Sequence, residues 1–336
     1  METALLPVSP DSLQRAAALL QAGQIVGMPT ETVYGLAANA ADPEAVARIF
    51  TAKGRPSDNP LIVHIAELSA LPQLADPPAL AYKLAKAFWP GAMTMVLPRR
   101  DTVPDCVTAG LDTVGIRMPS HPAAAALIRE SGLALAAPSG NRSGSPSPAT
   151  AAQMLADMDG RIPMILDGGP CEVGVESTVI LVREDSVRLL RPGGVTADDL
   201  REFCLVEVDD GVLHPLADGE AAASPGMKYR HYAPAAEVTL VTGTAEAFAE
   251  FVTAHTASGV AVMASREELP RLPGLHVPFG RQGDPESQAR ELFTALRRCD
   301  ELGAETVYVH CPPKRGIGLA VYNRLLRAAA FREIVL

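Results

Sequence analysis

The sequence has little positive charge, and this scarcity limits the partners that the protein can hold. Its 336 residues carry 29 Lys and Arg against 39 Asp and Glu, which gives a formal net charge of −10 at pH 7. Because phosphate backbones are bound by clustered cations, we expect no stable binding of nucleic acid on a large basic face. A small basic cleft is still compatible with this composition.

Other familiar signals are also absent. The five cysteines form no CxxC pair, which argues against a zinc site or a disulfide framework and favours reduced thiols in the cytoplasm. There is no run of 18 apolar residues and no cationic start before an apolar stretch, so we expect neither a membrane span nor a leader peptide. A GxxxxGKS or GxxxxGKT loop, an HExxH helix and a GxSxG turn are missing, so any nucleotide site must be built in another way.

What is present is a pattern of two α/β units. Residues 1–207 alternate short β-rich runs with helical patterns, which predicts an α/β domain with a twisted, mostly open sheet. Residues 208–236 lack periodicity and read as a linker. Residues 237–336 predict a smaller, Rossmann-like α/β domain, although GxGxxG does not follow its first strand.

Polar residues follow the predicted strands, where open α/β sheets bind ligands. Residues 30–36 offer two threonines, a carboxylate and a phenol, a pattern equally typical of a turn capped by Thr30. Lys53 and Arg55 lie two apart before Pro56, which disfavours helix at Arg55, so they suit an anion site; a solvated basic loop is the alternative.

Three later segments add cations and hydroxyls. Arg117 ends a short apolar strand, where a cation binds an anionic ligand or pairs inside the core with Glu31 or Glu176. Residues 137–147 are rich in Gly and Ser between a strand and a helix start, which favours a phosphate-binding turn over a flexible linker. Ser177 has no neighbouring His in the sequence to activate it, so a hydrogen-bonding role is predicted.

Seven motifs, in order, resemble one family. They are PTETVYGL, KGRPSDNPLIVHI, FWPGAMTMVL, VGIRMPSHP, PSGNRSGSPSPAT, ESTVI and LLRPG. Together they resemble the YrdC-type threonylcarbamoyl-AMP synthases over residues 13–201. The later SPGMKYRHYAP and the unit after it resemble the longer, two-domain members. The fold that this implies is a twisted open α/β sheet with a concave cleft.

The resemblance implies a reaction and its partners. L-threonine, bicarbonate and ATP, the last with Mg²⁺, yield L-threonylcarbamoyladenylate, pyrophosphate and water. A separate transferase complex then moves the threonylcarbamoyl group to the adenosine 3′ of the anticodon in tRNA. No protein nucleophile is required, because attack on phosphorus depends on positioning and charge neutralisation. No protein ligand for a metal is predicted, since Mg²⁺ on ATP keeps several waters.

The resemblance also implies roles for individual residues. Lys53 and Arg55 are expected to be catalytic, by neutralising the triphosphate and bicarbonate. The residues expected around L-threonine are Thr32, His64, Arg117, Ala137 and Ser177. Those expected to face ATP are Arg55, Asn59, Thr113, Ser139, Ser147, Arg191 and His231.

The linker and the second domain leave alternatives open. SPGMKYRHYAP is expected to close over the cleft as a lid, with Tyr229, His231 and Tyr232 on the substrates; a static, docked linker is the alternative. Lys314 and Arg315 follow a predicted strand and suit an anion or a plain surface loop equally well.

Two other functions compete with the synthase. YrdC-like modules also form carbamoyl-adenylate, but in chains with acylphosphatase and zinc-finger modules that are missing here. Related domains have a basic concave face that suits double-stranded RNA. Residues 1–205 of this chain, however, hold 16 basic against 22 acidic side chains, which opposes affinity for an RNA backbone.

Overall fold

The computed structural model describes residues 2–57, 59–215 and 232–336, which contain two β-sheets. The larger sheet has eleven strands: β1 (Ala4–Pro7), β2 (Val26–Met28), β3 (Gly35–Asn39), β4 (Ile62–His64), β5 (Met93–Pro98), β6 (Thr113–Arg117), β7 (Leu135–Ala136), β8 (Met164–Asp167), β9 (Thr178–Val182), β10 (Ser186–Arg191) and β11 (Leu205–Val208). Its spatial order is β1-β8-β2-β3-β7-β4-β6-β5-β9-β10-β11, with parallel and antiparallel pairs.

Eight α-helices accompany this sheet within the described residues: α1 (Pro10–Gln21), α2 (Pro43–Lys53), α3 (Leu71–Leu74), α4 (Ala79–Phe88), α5 (Asp105–Thr108), α6 (Pro122–Ser131), α7 (Ala151–Met158) and α8 (Ala197–Arg201). Two short 3₁₀ turns, Leu68–Ala70 and Asp210–Val212, complete this part of the chain. The main core lies between the sheet and helices such as α2 and α4. The predicted open α/β domain is confirmed.

Helix α2 shows how local sequence places functional groups. Asp42 caps its first turn by accepting from the N–H groups of Glu44 and Ala45, and Ile49 is fully buried. The helix ends at Gly54, whose left-handed backbone (φ 63°) turns the chain sharply after Lys53. Lys53 therefore stays on the helix, whereas Arg55 leaves in a new direction.

The strand register brings distant segments together. Parallel pairing of β4 with β6 sets His64 beside Arg117, and antiparallel pairing of β5 with β6 sets Thr94 on the other side of Arg117. Parallel pairing of β5 with β9 begins at Met93 and Thr178. The ends of β4 and β6 and the start of β9 consequently meet at one edge of the sheet.

The smaller sheet is entirely parallel among the described residues. Its strands are β12 (Glu237–Thr242), β13 (Val260–Ala264), β14 (Leu275–Pro278), β15 (Thr306–His310) and β16 (Glu333–Val335), in the order β14-β13-β15-β12-β16. Helices α9 (Ala245–His255), α10 (Pro285–Glu301) and α11 (Ile317–Ala328) and the 3₁₀ turn Leu269–Arg271 lie between them. The predicted second, smaller α/β domain is confirmed.

The two domains share an apolar core. Val33 and Val175 come from the first domain, yet they pack in the hydrophobic cluster formed by the second sheet and α10. Gly174 approaches α10 so closely that a Cβ there would lie 2.4 Å from the Cα of Arg290. The second domain is therefore docked directly against the segment that precedes β9.

The cysteines and the helix lengths bear on the predictions of reduced thiols and of no membrane span. All five cysteines are free thiols. Across the three described ranges, no helix combines the length and apolar character needed to cross a bilayer.

Gly193 is a position where only glycine fits. A Cβ on Gly193 would lie 2.2 Å from the backbone nitrogen of Thr178 and 2.5 Å from the carbonyl carbon of Ser177. Because backbone atoms cannot rotate away, Gly193→Ala is expected to lower the free energy of unfolding by about 3 kcal/mol in urea denaturation. Gly110→Ala is the control, since Gly110 (φ 79°) has no atom within 4 Å of that position. It is expected to cost about 1 kcal/mol through backbone strain alone. Equal losses in the two variants would refute the close-approach argument.

Candidate active site

A cavity of about 60 Å³ lies at the sheet edge where β4 and β6 end and β9 begins. Its walls come from seven separate stretches of the first domain and from Tyr232. The residues that line it are Thr30, Thr32, Val33, Gly35, Arg55, Ile62, His64, Arg117, Ala137, Pro138, Ser139, Glu176, Ser177, Arg191 and Tyr232. All five residues predicted around L-threonine are among them.

Arg117 is the best-anchored cation of the cavity. Its Nη2 lies 2.6 Å from Oε1 of Glu31, its Nη1 donates to Oγ1 of Thr32 at 2.8 Å, and its Nε donates to the Gly91 carbonyl at 3.2 Å. Burial raises the pKa of Glu31, but the charge and hydrogen bond of Arg117 outweigh it and hold that pKa below its ordinary value. The ion pair with Glu31, one of the alternatives for Arg117, is therefore present.

His64 stands beside Arg117 as a neutral imidazole. Burial, together with the charge of Arg117, lowers its pKa to about 3. Its Nδ1 lies 3.2 Å from the carbonyl oxygen of Ile62. His64 can thus offer one donor and one acceptor at neutral pH, but no charge.

Ser177 and Arg191 form the opposite wall. The Ser177 hydroxyl lies 2.8 Å from Oγ1 of Thr94, and Arg191 Nη2 donates to the Ser177 carbonyl at 3.1 Å and to its hydroxyl at 3.3 Å. Within the described part of the chain, neither an imidazole nor a carboxylate bonds this hydroxyl. The arrangement suits hydrogen bonding to a ligand and offers no activated nucleophile.

Lys53 and Arg55 occupy different places. Arg55 lines the cavity, donates from Nη2 to the Asn59 carbonyl at 2.8 Å and lies 5.6 Å from the centre of the Phe50 ring. Lys53 is buried behind the wall, where its Nζ donates to the Ser139 carbonyl and, at 2.7 Å, to the Asn141 carbonyl. Burial lowers the pKa of Lys53 to about 7. Lys53 thus holds the loop that carries Ser139 through these two hydrogen bonds, and it does not itself line the cavity.

The remaining residues predicted for ATP are distributed around this cavity. Ser139 lines it, whereas Asn59 is fully buried beside it, with side-chain nitrogen and oxygen that make no hydrogen bond to the described residues. Thr113 lines a smaller neighbouring cavity that shares Ile62 with the first. His231 lies outside the described residues, as does Tyr229.

Ser147 leads to a residue that the sequence predictions left without a role. Its hydroxyl donates to Oε1 of Glu176 at 2.5 Å, and Glu176 lines the cavity. The other carboxylate oxygen of Glu176 accepts from Nε of Arg324 at 3.0 Å. The sequence offers Glu176 only as a partner for Arg117. It gives no signal for Arg324, on α11 of the second domain, since nothing in its local sequence shows where that helix docks.

Tyr232 and Lys314 belong to the two segments whose roles the sequence leaves open, the predicted lid and the loop after β15. Tyr232, in the predicted lid, lines the cavity and packs against Phe293 with ring centres 5.3 Å apart. Lys314 lies 2.9 Å from Oε1 of Glu333 and 4.2 Å from the centre of the Tyr322 ring. That pairing fits a surface loop better than an anion site.

The carboxylates at the cavity face arginines: Glu31 lies against Arg117 and Glu176 against Arg324. Within the described ranges, no three His, Cys, Asp or Glu side chains are grouped so that they could hold an ion.

Comparisons with known proteins agree with this geometry. The family model named Sua5_yciO_yrdC and described as "Telomere recombination" matches residues 18–193. A second, described as "Threonylcarbamoyl-AMP synthase, C-terminal domain", matches residues 195–330. The two models account for almost the whole chain.

Individual proteins match along their full length. The threonylcarbamoyl-AMP synthase of Bacillus subtilis is 46% identical, covering 98% of this chain and 96% of its own. That of Schizosaccharomyces pombe is 38% identical over 91% and 85%. The crystal structure of Pyrococcus abyssi Sua5 complexed with L-threonine has a TM-score of 0.91 at 41% identity, covering 100% of this chain and 99% of its own. These homologues indicate an ATP-using enzyme of nucleotidyltransferase type, and the chain belongs to the threonylcarbamoyl-AMP synthase family, in its two-domain form.

Proposed function

We propose that this enzyme makes L-threonylcarbamoyladenylate and pyrophosphate from L-threonine, bicarbonate and ATP, within the cavity at the end of β4 and β6. One observation carries the assignment of the site: five residues predicted for L-threonine, spread between positions 32 and 177, line a single cavity. The product serves a transferase that modifies tRNA. The cytoplasm remains a prediction from the sequence alone.

Arg117 binds the carboxylate of L-threonine in this proposal. Each terminal nitrogen of a guanidinium carries two N–H groups; Nη1 of Arg117 donates one to Thr32, and Nη2 lies 2.6 Å from Oε1 of Glu31. The second N–H groups form a fork that suits a carboxylate. Ser177 and the neutral His64 then bond the polar groups of the amino acid.

The reaction itself needs placement more than protein chemistry. The amine of L-threonine attacks the carbon of bicarbonate, and water leaves. An oxygen of the resulting carbamate then attacks the α-phosphorus of ATP, and pyrophosphate departs with the electrons of the broken P–O bond. Arg55 and Arg191 line the same cavity and offset the charge that moves to the leaving group.

The ATP side of the cavity includes the loop between β7 and α7. Ser139 and Ser147 belong to this loop, which Lys53 holds from behind through the carbonyls of Ser139 and Asn141. We assign Lys53 the role of holding this loop in place, so that the backbone N–H groups of the loop face the phosphates. Asn59, Thr113 and His231 keep their predicted roles toward ATP. Mg²⁺ would arrive bound to the triphosphate, and no step above is assigned to it.

The lid role of SPGMKYRHYAP stays part of this proposal. Most of that segment lies outside the described residues, and Tyr232, the first residue described after the gap, lines the cavity. Closure would protect the mixed anhydride from water.

Pyrophosphate release by the purified enzyme tests the proposed function. Release from ATP is expected only when L-threonine and bicarbonate are both present, because the carbamate is the nucleophile. Carbamoyl phosphate in place of both should give none. Release with carbamoyl phosphate, or release without L-threonine, would contradict the proposal.

Arg55→Gln tests the ATP side. Loss of a charge-assisted contact costs about 1.5–3 kcal/mol, so the KM for ATP is expected to rise at least tenfold while the KM for L-threonine changes less than threefold. Arg183→Gln is the control, since Arg183 forms an exposed pair with Glu207 on β11, at 3.1 Å. A larger effect on L-threonine than on ATP would place Arg55 at the wrong substrate.

His64 should make stability depend on pH. Its folded pKa, about 3, lies below its ordinary value of 6.5, so the unfolded chain binds the proton first. The contribution is complete above pH 6.5 and is lost as the pH falls from 6.5 toward 3, by up to about 1.4 kcal/mol per unit. His64→Asn is expected to flatten this slope in urea denaturation at stepped pH. An unchanged slope would mean that the folded protein accepts the proton.

A further inference from the structure

Two arginines of the second domain reach the loop between β7 and α7. Arg297, on α10, donates from Nη2 to the carbonyl of Pro146 and lies 2.5 Å from Oδ2 of Asp157 on α7. Arg324, on α11, acts on the same loop indirectly: it donates to Glu176, and Glu176 accepts a hydrogen bond from Ser147. The proposed ATP loop is thus held by the second domain next to Ser147.

Arg324 is completely buried and every nitrogen of its guanidinium is used. Nε donates to Oε2 of Glu176 at 3.0 Å, Nη2 donates to the Glu176 carbonyl at 3.2 Å, and Nη1 donates to the Pro192 carbonyl. Pro192 follows Arg191 directly. One side chain therefore fixes both segments that form the Ser177–Arg191 wall of the cavity.

A buried ion pair is poor evidence for stability, since apolar residues of similar volume often serve as well. This pair does something that apolar packing cannot: it gives Glu176 a fixed orientation, with one carboxylate oxygen on Arg324 and the other on Ser147. Burial raises the pKa of Glu176, but Arg324, then Arg191, hold it below its ordinary value. Without Arg324, the carboxylate would turn toward Arg191 and release Ser147.

We infer that Arg324 is a positioning residue for ATP: it holds Glu176, and through Glu176 it holds the Ser147 hydroxyl and the 138–150 loop in the geometry that binds the phosphates. The second domain thereby completes the ATP side of a cavity that the first domain lines. This inference rests on the proposed function, because it needs ATP at Ser147. Among the residues proposed for L-threonine, Arg324 holds the segment of Ser177 but donates to none of Arg117, His64 and Thr32, so its loss should affect ATP more than L-threonine.

The test is Arg324→Met in the full-length enzyme, with the KM for each substrate measured by pyrophosphate release. The KM for ATP is expected to rise at least tenfold, while the KM for L-threonine rises by a clearly smaller factor, because only Ser177 among its proposed residues lies next to a backbone group that Arg324 holds. Arg298→Met is the control: Arg298, on α10 of the same domain, forms an exposed pair with Glu301 at 2.8 Å. It is expected to leave the KM for ATP within threefold of the wild-type value.

A double variant separates positioning from loosening of the domain interface. If Arg324 acts through the Glu176 carboxylate, adding R324M to E176Q is expected to raise the KM for ATP by a smaller factor than R324M does in the wild type; the effect that remains comes from the carbonyls of Glu176 and Pro192. Arg324→Lys, which keeps one charged donor, should restore part of the loss. Independent, multiplying effects of E176Q and R324M would overturn the inference.

The remaining outcomes are also decisive. If the wild-type enzyme releases no pyrophosphate with L-threonine and bicarbonate, the proposed function fails and takes this inference with it. If the wild type is active and the KM values of R324M equal those of R298M, the inference alone fails. Should R324M not fold, R324K and Ser147→Ala carry the test: both are expected to raise the KM for ATP selectively, and an unchanged KM in either would refute the positioning role.

Discussion

The arrangement of the loops around the cavity depends on one constraint, which is that buried charges must be paired or hydrogen-bonded. Taking an ion out of water costs several kcal/mol unless an opposite charge or several hydrogen bonds receive it. Arg117 faces Glu31, Arg324 faces Glu176, and Lys53 donates to backbone carbonyls. These contacts form only if the loops at the sheet edge close tightly around them. The cavity is the space that remains between those loops.

This arrangement explains how an acidic protein can serve anionic substrates. The net charge of −10 is a property of the whole surface, whereas binding depends on the local field. Both cavity carboxylates are balanced by arginines, and Arg55 and Arg191 also line the walls. Donors that are fixed before a ligand arrives need little reorganisation when charge develops on the reacting phosphate. The same pairing fixes the domains together, because Arg324 belongs to the second domain and Glu176 to the first.

Much of the fold was predictable, because its strands and helices follow local periodicity. The alternation of β-rich and helical patterns predicted over residues 1–207 and 237–336 occurs in the structure as two α/β sheets with their helices. The site was predictable where polar groups stand at the ends of strands, as with Arg117 at the end of β6 and Ser177 just before β9. The partner of Arg117 stayed open between Glu31 and Glu176, since sequence spacing does not encode the register that places β6. The sequence does not distinguish the positions of Lys53 and Arg55, because only the left-handed turn at Gly54 directs the two side chains to different places.

The sequence by itself determined the elements, the two α/β units and the chemical inventory of the cavity, because hydrophobic periodicity and motif order are properties of neighbouring residues. Only the tertiary structure decided which charges meet. Glu176 and Arg324 are 148 positions apart, and the pair exists because α10 and α11 dock on the segment before β9. Such docking depends on the complementary shapes of two cores, which no local pattern records. The proposed link between the second domain and the ATP loop is therefore a product of packing.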